Sequence, residues 1–411
     1  MNQAHTMHSS AFFTPGKLGP LTLKNRSVRA AAFEGMSQHN GVTSQLIDYH
    51  VSVARGEIGM TTVAYASVSE SGLSFPHQMW LRKEILPDLR RLVLAVKKEG
   101  AAVSIQIGHC GNMASKKLTG LKPLAPSGGI NWYGPTFPRT MKRKDILQTI
   151  DDFRNAVTLC AKAGFDAIEV HAGHGYLISQ FLSPYTNRRK DEYGGSFENR
   201  SRFLREVLTA VKEVLPAHMA LIVKMNCWDG FEEGITREEG LETAEIIEAC
   251  GAHAIVVSGG FVSRSPMFVL RGSMPIKTMA HFIKDPFKKF FVSLFGHKLI
   301  KTVPFKEAYF MEEASAIKSR VKIPIILVGG MNSMKTIDSA MEKGFEFIGI
   351  ARALIQNTNY VKELKSGKID RTACTVCNYC VAKMYTDTME CFMNQQDVPR
   401  KLVKEIQPEK S

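Results

Sequence analysis

AGFDAIEVHAGHGYLISQFLSPYTNRRKDEYGGSFENR, residues 163–200, contains the reading that decides the fold. A glycine, Gly164, closes a helical pattern, a short apolar run AIEV follows, and polar groups then spill onto a loop. The same arrangement returns in CGAHAIVV (250–257) and KGFEFIGI (343–350), where Gly251 and Gly344 stop a helix just before a buried strand. Repetition of helix, glycine and apolar strand is the signature of stacked βα units. Runs without strict alternation suit a parallel sheet covered on both faces.

Working outward, apolar runs of strand length recur along the chain. They are SVRAAAF (27–33), MTTVAYASV (60–68), AVSIQIG (102–108), AIEVHA (167–172), ALIVKMN (220–226), AIVVSG (254–259), IILVGG (325–330) and FEFIGIA (345–351). Amphipathic stretches lie between them. DDFRNAVTLCAKAG (151–164) sets Phe153, Val157, Cys160 and Ala161 on one stripe, begins with acids and stops at Gly164. Eight such units most economically close into an α/β fold of the (β/α)8 barrel type, with a doubly wound open sheet as the competing arrangement. The barrel is assigned to residues 1–365, with a basic insertion at about 265–312, followed by a cysteine-rich extension over 366–411.

Composition is that of an ordinary globular protein, 44% hydrophobic and 22% charged over 411 residues. The amino terminus lacks a cationic start followed by an apolar run, and no apolar segment reaches spanning length, so a cytoplasmic protein without a membrane span is expected. The net charge of +14 is spread along the chain rather than gathered in a tail. Diffuse charge argues little for nucleic acid, and a nucleic-acid-binding role would leave the 171–204 block unused. Four cysteines, Cys110, Cys160, Cys227 and Cys250, are scattered as small buried hydrophobes usually are. No secreted disulfide framework is indicated, and a reducing compartment follows.

Barrel chemistry gathers at the carboxyl ends of strands. Gln106, His109, His171, His174, Lys224, Asn226, Ser258, Gly329, Gly330 and Arg352 all fall there. Two imidazoles, His171 and His174, can grip an oxygen that gathers negative charge, and the phenol of Tyr176 can supply a proton. The bland alternative is a polar loop over a helix. LVGGM (327–331) and GIARAL (349–354) end two late strands, where backbone N–H groups of Gly329 and Gly330, with the fork of Arg352, can hold a phosphorylated cofactor.

From about Phe13 to Leu354 the chain resembles the old yellow enzyme family of NADH:flavin oxidoreductases, most specifically through YLISQFLSPYTNRRKDEYGGSFENR. The resemblance implies a barrel holding FMN, reduced by NAD(P)H, that reduces the C=C bond of an electron-poor alkene. It assigns Gln106 to the flavin pyrimidine edge, Lys224 to the N1–O2 region, and Gly329, Gly330 and Arg352 to the phosphate. His171 and His174 match the pair that binds the substrate oxygen, and Tyr176 matches the proton donor. Phe33 stands where some relatives carry a cysteine bound covalently to flavin, which implies noncovalent FMN. Glu34 lies near where many relatives place Thr or Cys against the flavin C4 oxygen, and an anion there would disfavour reduced flavin.

The extension carries Cys374, Cys377, Cys380 and Cys391. Four thiolates can close a site for zinc or an iron–sulfur cluster, and zinc is the default from spacing. Their order resembles the [4Fe–4S] site after the barrel in 2,4-dienoyl-CoA reductases and trimethylamine dehydrogenases; zinc or empty thiols remain open. That likeness supplies the alternative activity, oxidative demethylation of an amine with electrons passed to a partner. The insertion mixes aromatics with Lys284, Lys288, Lys289, Lys298 and Lys301. A loop with a short helix packed on the barrel top is the favoured reading, and a basic lid or membrane-surface element the other. Its charge would suit an acyl-CoA. Neither the oligomeric state nor the choice of nicotinamide follows from the residues.

Overall fold

The computed structural model describes residues 9–131, 136–384, 388–395 and 397–407. Eight parallel strands close into a barrel in which each pairs with the next in sequence and the last pairs with the first. They are β1 (Ser27–Arg29), β2 (Met60–Ser67), β3 (Ala102–Gly108), β4 (Ala167–Ala172), β5 (Ala220–Asn226), β6 (Ala254–Ser258), β7 (Ile325–Leu327) and β8 (Phe347–Ile350). Closure comes from Ile348 of β8 in register with Ser27 of β1, which excludes the open sheet.

All eight apolar runs form strands. Three are shorter than their hydrophobicity suggests. β7 stops at Leu327 because Gly329 and Gly330 take φ of 105° and 78°, outside strand geometry. β1 stops at Arg29, whose guanidinium turns to the carbonyls of Thr62 and Ala32. β8 begins only at Phe347, since Phe345 lies in the turn after Gly344.

Helix α1 (Arg143–Ala163) buries Phe153, Val157 and Cys160 as the stripe requires and ends at left-handed Gly164, φ 92°. It packs on α2 (Phe197–Val214), whose N-cap Ser196 accepts from the Asn199 amide. An antiparallel hairpin, Gly16–Leu18 with Leu21–Leu23, plugs the amino end of the barrel. Its Leu18 and Leu23 join Val28, Met60, Ala220 and Phe347 in an apolar cluster, so chemistry is confined to the opposite mouth.

The insertion is more helical than a single packed element. It holds α3 (Pro266–Leu270), α4 (Ile276–Phe282) and α5 (Pro286–Leu299). The extension adds α6 (Tyr379–Lys383) and α7 (Arg400–Ile406), both against α4. Glu405 of α7 accepts from the amides of Lys277 and Thr278 at the start of α4. The extension also reaches the barrel mouth: the Met389 amide donates to the Glu34 carbonyl at 2.8 Å. The described residues contain no helix long and apolar enough to cross a membrane.

Candidate active site

Parallel register builds the polar floor of the mouth. Gln106 on β3 is in register with Glu169 on β4, and His171 on β4 with Lys224 on β5. Residues two apart on a strand share a face, so Glu169 and His171 project together. The Gln106 amide donates to Glu169 at 2.6 Å, and the Lys224 ammonium lies 3.1 Å from the same carboxylate and donates to the Ala31 carbonyl at 3.1 Å. All three side chains are buried. Glu169 was not among the sequence candidates, although its position two residues before His171 was the signal for it.

His171 and His174 stand with ring centroids 5.0 Å apart and planes at 84°. The Gly173 amide donates to Nδ1 of His171 at 3.2 Å, which puts the hydrogen of the neutral ring on Nε2. His174 sits at φ 59°, held there by its own amide donating to Asn226 Oδ1 at 2.9 Å. Its Nε2 lies 2.7 Å from the Ser258 hydroxyl; when that hydroxyl donates, Nδ1 carries the ring hydrogen. Burial, then the Lys224 charge, lowers the His174 pKa to about 3. Burial, His174 and Lys224 hold His171 well below its ordinary value. Both rings are therefore neutral near pH 7.

Tyr176 packs edge-on to His171 with ring centroids 4.6 Å apart. Burial raises its pKa above the usual phenol value, so the proton stays on oxygen. A second phenol, Tyr65 of β2, lies 5.0 Å from Tyr176 between ring centroids and bonds Ser74 at 3.0 Å. Sequence reasoning missed Tyr65, because β2 is buried on both faces and gives no alternation to mark an inward residue. Asn226 bridges the loops beyond it, donating to Asp229 and to the Gly260 carbonyl.

Glu34 does not stand as a bare anion. Its carboxylate lies 2.7 Å from Arg29 and 3.3 Å from His50 and accepts from the Ala64 amide at 3.0 Å. Phe33 stacks on Phe75, centroids 5.1 Å apart.

At the far side of the mouth Gly329 and Gly330 keep positive φ, and a Cβ on Gly330 would meet the Lys306 carbonyl at 3.0 Å. Arg352 opens the helix after β8 and donates to Asn378 at 2.9 Å, so the structure ties it to the extension. Together with Cys374, Cys377, Cys380 and Cys391 it lines one pocket. Burial pushes the Cys380 thiol up to about 12 and the Cys391 thiol up to about 11, with Arg352 opposing the former. Among the described residues no three His, Cys, Asp or Glu groups converge closely enough to hold a single metal ion.

The model of the NADH:flavin oxidoreductase / NADH oxidase family matches residues 11–264. The chain belongs to that family. A relative in Rhodococcus erythropolis, a 4,4'-dithiodibutanoate disulfide reductase, is 37% identical over 93% of this chain and 95% of its own. Among solved structures, a 2-naphthoyl-CoA reductase complex superposes with a TM-score of 0.80 at 24% identity, over 97% of this chain and 58% of that one. The old yellow enzyme homologue from Zymomonas mobilis superposes with a TM-score of 0.71 at 22% identity, over 94% and 100%. At those identities the structural likeness is one of fold. As a member of this family the chain is an NAD(P)H-dependent flavin oxidoreductase.

The residues of the mouth fit FMN. Lys224 has three N–H groups and two protein acceptors, which leaves one for a ligand. Gln106 commits its amide N–H to Glu169, and among the described residues nothing donates to its carbonyl oxygen.

Proposed function

We propose that the chain reduces the C=C bond of an electron-poor alkene, such as an enone, at the His171–His174–Tyr176 site. The supporting observation is the pair of neutral imidazoles set at right angles, with a protonated phenol 4.6 Å from His171 ring to ring. FMN, bound by Gln106, Lys224, Gly329, Gly330 and Arg352, supplies the hydride chemistry after reduction by NAD(P)H. The protein's part is to bind the carbonyl oxygen through His171 Nε2–H and His174 Nδ1–H. As negative charge gathers on that oxygen, two preorganised donors in a buried site stabilise it without reorganising. Tyr176 then gives its proton to the substrate carbon, and its high pKa keeps that proton available across the neutral range.

The extension is read as a [4Fe–4S] site held by Cys374, Cys377, Cys380 and Cys391. What supports this reading is that all four cysteines line one pocket and follow the order of the resembling cluster sites, with zinc as the alternative occupant. Such a cluster passes electrons to or from a partner, and its ligation would displace the protons that burial holds on Cys374, Cys380 and Cys391.

A disulfide is the second candidate substrate, favoured by the disulfide reductase that matches over nearly its whole length. There Tyr176 would protonate a departing thiolate. A cationic methylated amine suits two N–H donors poorly, and an acyl-CoA thioester conjugated to the alkene would suit them well. Anaerobic assays of the FMN-loaded protein with NAD(P)H and an enone, dithiodibutanoate or a methylated amine separate these. Saturated ketone from the enone is the expected product, and turnover of the disulfide alone would overturn the alkene reading.

A further inference from the structure

Helix α5 (Pro286–Leu299) presents two apolar faces, and only one is used. Val292, Gly296 and Ile300 recur every fourth residue and form the inward seam against α4, where Val292 and Ile300 pack with Ile276 and Met279. A Cβ on Gly296 would stand 2.8 Å from Ile276, so the helix is pressed as close as glycine permits. The opposite side carries Phe287, Phe290 and Leu294, exposed at 86%, 69% and 61%, and Phe291, Phe295 and Leu299 around the flank and end of the helix are exposed as well. A contiguous set of phenyl and leucyl side chains left in water marks a contact surface rather than a packed loop.

The charges on this helix are of one sign. Lys284, Lys288, Lys289, Lys298 and Lys301 are exposed on and beside it. Its single acid, Asp285, is spent as the N-cap, accepting from the Lys288 amide at 3.0 Å. That backbone bond, followed by Lys288 and by Lys117 from the loop after β3, holds the Asp285 carboxyl below its usual range. The cationic field therefore extends beyond the helix onto a neighbouring loop of the same barrel end.

We propose that α5 is an interfacial anchor that seats this protein on an anionic lipid bilayer. Phenyl and leucyl groups would enter the boundary between headgroups and acyl chains, while lysines at their edges reach the lipid phosphates. A second copy of the chain fits worse, because a two-fold contact through this face would set lysine against lysine with no acid free to pair. The helix belongs to the β6–β7 connection, so anchoring turns the carboxyl-end mouth of the barrel, with His171 and Tyr176, toward the lipid. A substrate dissolved in the membrane would then meet the site without crossing water.

The test is flotation of the FMN-loaded full chain with phosphatidylcholine vesicles, with and without phosphatidylglycerol. Co-flotation is expected with the anionic vesicles, weaker by about tenfold without phosphatidylglycerol and reversed by salt. Replacement of Phe290 and Leu294 by Ser should reduce vesicle binding by about tenfold or more, and charge reversal at Lys288 and Lys289 should do the same. Neither pair touches the catalytic mouth, so NAD(P)H oxidation in vesicle-free solution should be unchanged and will show that the variants are folded. No co-flotation with anionic vesicles, or variants that float like the parent, would overturn the proposal. So would a lipid-free dimer in sedimentation velocity that the Phe290 and Leu294 replacements dissociate, which would assign the face to a second copy. None of these readouts depends on which substrate is reduced.

Discussion

Three side chains within six residues carry the proposed chemistry, and their protonation states make it testable. His174 titrates at about 3 in the folded protein, against about 6.5 for a free imidazole. A depressed histidine pKa means that the unfolded chain takes up the proton first. Its contribution to stability is thus present above pH 6.5 and lost as the pH falls toward 3. Across pH 5 to 8 both imidazoles stay neutral, so binding of a phenol to the oxidised site should be flat with respect to these groups; a step near pH 6.5 that vanishes in His174→Ala would contradict it. Replacing His171 and His174 together by Ala should weaken phenol binding by about tenfold or more, the loss of two hydrogen bonds to a charge-bearing oxygen. Equal affinity would remove the pair from oxygen binding. Glu169, which joins Gln106 to Lys224, was readable in principle from its period-two spacing with His171. Tyr65 was not, because every residue of its strand is buried.

At the scale of elements, glycine-terminated helices and the apolar cores of the strands were legible, since both follow from backbone conformation and burial alone. Strand ends were less so, because each is set by a tertiary partner. The run RAAAF reads as a strand yet leaves the sheet after Arg29, whose guanidinium serves Thr62, Ala32 and Glu34. Glu34 likewise reads as a threat to the flavin until its partners are known. It is the counter-ion of a fully buried arginine. Glu34→Ala should therefore cost about 3 kcal/mol or more of unfolding free energy, the penalty for an uncompensated buried cation. A denaturant titration measures it, and a loss below about 1 kcal/mol would mean that water or another anion already serves Arg29. The basic insertion exposed the limit of periodicity: FFVSLF is apolar on both sides of the helix, and sequence alone does not say which side finds a partner.

At the scale of the molecule, barrel and extension meet at Arg352, which opens the helix after β8 and also lines the four-thiol pocket through its bond to Asn378. A fold that places the proposed phosphate grip beside the proposed cluster couples two sites through one side chain. Protein purified without air should contain about four irons per chain, and Cys377→Ser should lose most of them. Retention of full iron in that variant would remove Cys377 from the ligand set. The resemblance to a known family supplied the proposed FMN-binding set; the meeting of Arg352 with the extension was not legible, because it depends on a contact 26 residues along the chain. The most direct test of the central claim is the rate at which cyclohexenone reoxidises the anaerobically NAD(P)H-reduced protein, measured by rapid mixing for the parent and for Tyr176→Phe. Proton donation by Tyr176 predicts saturated ketone from the parent and reoxidation about a hundredfold slower in the variant, with flavin reduction by NAD(P)H unaltered. Equal reoxidation rates, or no reoxidation of the parent by the enone, would contradict it.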